Sequence, residues 1–92
     1  MIYFSQNIIS IDSKHARICW IVENHTKDII SEAVAFSDLY SHRFGSIGID
    51  SIKTITFEIP LSKTCLLGTA VMNYSANNEV RMVESNILKY IN

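Results

Sequence analysis

Hydrophobic and polar positions alternate along most of the chain. Residues 2–11 (IYFSQNIISI) are apolar and β-branched, although their alternation is irregular. A polar run, Asp12-Ser13-Lys14-His15, then reads as a turn. Residues 16–23 (ARICWIVE) read as a second strand, with Ala16, Ile18, Trp20 and Val22 on one face. The two segments together predict an antiparallel hairpin. Residues 52–59 alternate cleanly. Ile55, Phe57 and Ile59 face one way, Thr54, Thr56 and Glu58 the other, and Pro60 ends the strand.

Between these strands the apparent period changes. Ile29, Ile30, Ala33, Phe36, Ser37, Tyr40 and Phe44 fall on one side at helical spacing, which predicts an amphipathic helix over 26–43. Asn24 and Thr26 are its candidate N-caps, and Asp28 and Glu32 lie near its positive end. Gly45 stands where a C-cap is expected, after Arg43. The outer side of this helix would carry Asp28, Glu32, Asp38, Leu39 and His42, with Leu39 an apolar residue among acids.

The C-terminal third leaves two readings open. Residues 64–74 form a strand that returns as 79–84 through a turn at 75–78, or Leu66, Leu67, Ala70, Val71 and Tyr74 line one side of a helix. Ser85 to Ile91 reads as a short helix, with a continuous helix over 79–91 as the alternative. The expected fold is α+β: a mainly antiparallel sheet of about four to five strands, with one long helix (26–43) across a face and a short C-terminal helix. At 92 residues it is expected to form a single domain, 1–92.

Composition adds one point. Charged residues make up 18% of the chain and hydrophobic ones 48%, against about 25% charged in an average domain. So few charges leave large apolar side chains to be carried outside, and exposed apolar patches mark partner surfaces. The net charge of −1 and the lack of a cationic cluster argue against a nucleic-acid surface. No apolar run approaches the ~20 residues of a membrane helix. The N-terminus has no basic region before an apolar core, so a cytoplasmic location is expected.

Candidate chemistry is sparse. Cys19 and Cys65 are far apart in the chain and sit in apolar segments, where a thiol behaves as a small hydrophobe. His15, His25 and His42 offer no close ligand pair, so neither a metal nor a cofactor is expected. The reading that follows is a small non-catalytic protein-binding module of inhibitor, immunity or antitoxin type. Its contact residues would be Asp28, Glu32, Asp38, Leu39 and His42, and the acidic rim would suit a basic toxin or nuclease. A homo-oligomeric structural or adaptor subunit, such as a homodimer, is the alternative, ahead of a small enzyme using Cys65 or a histidine.

Overall fold

The computed structural model describes residues 1–66 and 68–88. Seven strands follow one another: β1 (Ile2–Ile11), β2 (His15–Asn24), β3 (Ile30–Phe36), β4 (Ser41–Ile47), β5 (Ser51–Pro60), β6 (Val71–Ala76) and β7 (Glu79–Glu84). A 3-10 segment, Leu61–Leu66, links β5 to β6. The strands form two antiparallel sheets, one ordered β1-β2-β5 and the other β4-β3-β6-β7. They face each other in a body of 44 × 19 × 18 Å.

The first sheet follows the alternation of its sequence. Ala16, Ile18, Trp20 and Val22 of β2 are buried, and β5 adds Phe57 and Ile59. Trp20 is the centre of the core. Its ring meets Phe4, Phe57 and Tyr40 edge to face at 5.6, 4.8 and 5.6 Å, and Tyr40 stacks on Phe57 at 4.0 Å. Tyr40 comes from the turn between β3 and β4, so this cluster joins the two sheets. Each large side chain so buried contributes about 1.5–3 kcal/mol.

The expected α+β architecture is not what the chain forms: residues 30–36 and 41–47 are strands, and the described residues contain no α-helix. The cause is a β-bulge. Glu32 has φ 53°, and the pairing of β3 with β4 slips between Ile30 and Ala33. The extra residue puts Ile30, Ala33 and Ala35 on the buried face, a spacing of three and then two. Gly45, at φ 74° opposite Ala33, does the same in β4, so Phe44 and Ile47 are both buried three apart. A three-residue step is also the step along one helix face, which is why the segment imitates a helix. The expected stripe in fact splits, with Ile29 and Phe36 exposed while Ile30 and Ala33 are buried.

The expected caps have another task. Asn24 is fully buried, and its Oδ1 accepts the Thr26 N–H at 2.9 Å and the Thr26 hydroxyl at 2.7 Å. Its Nδ2 donates to the carbonyls of Asp28 and Ile47 at 2.9 and 3.1 Å. The side chain that was expected to start a helix instead organises the loop from β2 to β3. In the C-terminal third, β6 and β7 form a hairpin closed by Asn77 and Asn78, both at positive φ, the signature of a two-residue type I′ turn. Residues 85–88 run extended against Gly68 and β1 rather than as a helix; the remainder of that expected helix lies outside the described residues.

Candidate functional site

The residues expected on one helix face are dispersed. Asp28 lies in the loop before β3, where its carboxylate accepts a 3.1 Å bond from the Asn77 side chain. Glu32 is the bulge of β3. Asp38 and Leu39 sit in the turn after β3, a seven-residue strand of roughly 20 Å away from Asp28. Leu39 is not a stray surface residue but packs partly buried against the core. His42 is half-buried with its ring against Phe44 at 4.8 Å. No shared surface joins the five.

The apolar excess lies elsewhere, on the outer face of the second sheet. The strand registers align two complete rows across all four strands: Ser41–Phe36–Val71–Glu84 and Arg43–Val34–Asn73–Met82. A third, shorter row sets Val80 beside Ser75. Phe36, Met82 and Val80 are 41%, 62% and 80% exposed. Val34 and Val71 lie half-buried between them. The result is an apolar diagonal from β3 to β7 with Arg43 on one rim and Glu84 on the other. Nothing among the described residues covers it. Sequence reasoning missed this face because the helix reading hid the alternation of Val34 and Phe36. The signal was present in EVRMVE, where Val80 and Met82 alternate with charges.

A small polar cleft opens at the end of the sandwich where the loop before β3 meets the β6–β7 turn. Its lining includes Ile2, Thr26, Asp28, Tyr74, Asn77 and Arg81, around a space of about 100 Å³. That is far below the ~300 Å³ at which ligand pockets begin. Among the described residues no group of three or more His, Cys, Asp or Glu side chains converges as a metal site. Cys19 is half-buried and free, while the Cys65 side chain lies outside what is described. Asp12 has a displaced pKa. Its carboxylate accepts the backbone N–H groups of Lys14 and His15, which holds it below the ordinary value. It sits in the β1–β2 turn, away from both the apolar face and the cleft. No helix among the described residues is long and apolar enough to cross a membrane, which leaves membrane-spanning strands untouched.

The fold has a counterpart among solved structures. The chain resembles part of a GH20 exo-β-N-acetylglucosaminidase from Vibrio harveyi, solved in complex with N-acetylglucosamine. The TM-score is 0.65 at 9% identity, over 96% of this chain and 18% of that one. At that identity the likeness is one of fold. The chain matches no protein-family model and no curated protein. The fold and this likeness lend no support to an inhibitor, immunity or antitoxin role. That role rested on a helix face that the structure replaces with strands.

Proposed function

We propose that the chain is a small non-catalytic binding module that seats a protein partner on the outer face of its second sheet. The observation behind this reading is the open apolar diagonal of Phe36, Val34, Val71, Met82 and Val80, rimmed by Arg43 and Glu84. Such a pattern of apolar centre and charged rim is that of a recognition surface. Large aromatic and Met side chains are the residues that contribute most when covered. The cleft at the sandwich end is small, and the wider hollow of about 560 Å³ beside Glu32, Ser75 and Asn78 is open to solvent. The fold's likeness to one segment of a larger enzyme is in keeping with use as a module. A cytoplasmic setting, in which Cys19 stays reduced, belongs to the same proposal.

The test is a variant comparison. Met82→Asp and Phe36→Ser change exposed positions and are expected to leave folding stability within about 1 kcal/mol. Used as bait beside the unaltered chain, each should lose a stoichiometric partner that the unaltered chain retains, with affinity at least about tenfold weaker. Hydrogen exchange in the complex should slow at β6 and β7. If both variants keep the same partners with the same affinity, the face is ordinary surface and the reading is wrong.

A further inference from the structure

The two sheet edges on one side of the sandwich are treated differently. In β1, the Gln6 N–H donates to Asn86 Oδ1 at 2.9 Å and the Gln6 carbonyl accepts from Asn86 Nδ2 at 3.0 Å. One side-chain amide thus stands in for a neighbouring strand and closes that edge. Among the described residues β7 has no such cover. It is the terminal strand of its sheet, and five of its six residues are exposed. It carries no proline, no lysine and no register slip, three of the devices that protect an edge, and of the charges it does carry, Glu79 and Arg81 can be matched by a second copy of the same strand.

The geometry of the hairpin says which groups are free. In a two-residue hairpin the pair flanking the turn, here Ala76 and Glu79, is the hydrogen-bonded one. Glu79, Arg81 and Val83 therefore aim their backbone groups at β6. Val80, Met82 and Glu84 aim theirs outward. Side chains alternate in the same way: Glu79 and Arg81 share the inner face, joined by a 3.0 Å ion pair, while Val80 and Met82 share the outer one.

We infer that β7 pairs with β7 of a second copy of this chain, antiparallel about a two-fold axis at Val80. In that register Val80 faces Val80, and each Glu79 faces an Arg81. The existing Glu79–Arg81 contact along each strand and the new ones across the axis make a square of four charges in which every neighbour has the opposite sign. Opposite charges directly across an antiparallel pair stabilise it, and like charges oppose it. The competing registers lack this match. Centring on Arg81 sets Arg81 against Arg81. Centring on Met82 leaves Arg81 opposite Val83 and runs the pairing toward Ser85 and Asn86, where the chain departs to β1. The Val80 register ends before that departure: it pairs Glu79, Val80 and Arg81 of each copy and stops at the Asn77–Asn78 turn. It joins two four-stranded sheets into one of eight and makes the apolar diagonal continuous across the axis, as an isologous contact requires.

Light scattering and sedimentation over a concentration series test the inference. The unaltered chain is expected to show a reversible monomer–dimer equilibrium. Glu79→Arg alone and Arg81→Glu alone each place like charges across the axis, and each should weaken dimerisation at least about tenfold. An equimolar mixture of those two variants restores both opposite-sign pairs across the axis, with like charges left only along each strand, and should regain the dimer, which also shows that both variants fold. Val80→Pro removes an outward N–H at the axis without touching the bonds to β6, and should give a folded monomer. A chain that stays monomeric at every concentration overturns the inference. So does a Glu79→Arg variant that dimerises as well as the unaltered chain, or a mixture that fails to recover. These experiments contain this chain alone, so their outcome is separate from that of the partner test.

Discussion

At the scale of single residues, two buried amides, Asn24 and Gln6, hold the sandwich together. Gln6 is 2% exposed and saturated. Its Oε1 accepts the Trp20 indole N–H at 3.0 Å, and its Nε2 donates to the carbonyls of Gly68 and Asn86 at 2.8 and 3.1 Å. Among the described residues no buried side-chain nitrogen or oxygen lacks a partner. Gln6→Leu keeps most of the volume but strands the Trp20 indole N–H in the core, while the carbonyls of Gly68 and Asn86 keep their bonds from the Leu88 N–H and the Ser85 hydroxyl. It is expected to cost about 2–4 kcal/mol in urea unfolding, with the emission of Trp20 altered in the folded state. Asp12 supplies a pH dependence of known sign. Its native pKa is lowered because the charged form accepts the N–H groups of Lys14 and His15. Its contribution is therefore complete above the ordinary carboxylate range and is lost as pH falls through the lowered native value. An NMR titration should show the Lys14 and His15 amide shifts moving together below about pH 4, and Asp12→Asn should abolish that step. Neither amide could be read in advance. Gln6 stands in an irregular run, and nothing in its neighbours foretells Gly68 or Asn86.

At the scale of elements, legibility depended on whether a strand keeps its period. β5 does, and its sequence alone assigns the faces: Phe57 and Ile59 are buried, while Thr54, Thr56 and Glu58 are exposed. The β1–β2 hairpin was legible from Asp12 to His15, where a short carboxylate caps the turn. β3 and β4 were not, because Glu32 and Gly45 each add a residue and turn a two-residue spacing into three. Local pattern has no means of separating a bulged strand pair from an amphipathic helix when both place Ile30 and Ala33 together. The expected contact residues Asp28, Glu32, Asp38, Leu39 and His42 are separated for the same reason, since they share one face only on a helix. Gly45 tests this account. An added Cβ there meets nothing within 4 Å, so Gly45→Ala measures the left-handed backbone alone. It is expected to lower stability by about 1–2 kcal/mol in thermal unfolding without altering the fold. A neutral result would show that the bulge relaxes and does not set the spacing of Phe44 and Ile47.

At the scale of the whole molecule, composition foretold that apolar side chains would be left outside but not where. Their place follows from sheet register, which pairs Phe36 with Val71 and brings Met82 into the row of Val34. That is a relation between segments far apart in the chain. The same holds for Asn86, which reaches across eighty positions to Gln6. Contacts of such separation form late, after shorter loops have closed. Asn86→Ala should therefore accelerate unfolding and leave the folding limb of a chevron plot nearly unchanged, for a net loss of about 1–3 kcal/mol. During synthesis this has a temporal cost. Strand β1 leaves the ribosome some eighty residues before the amide that shields its flank. Throughout that interval the nascent chain carries a bare β-margin, the kind of unpaired strand edge from which aggregation starts.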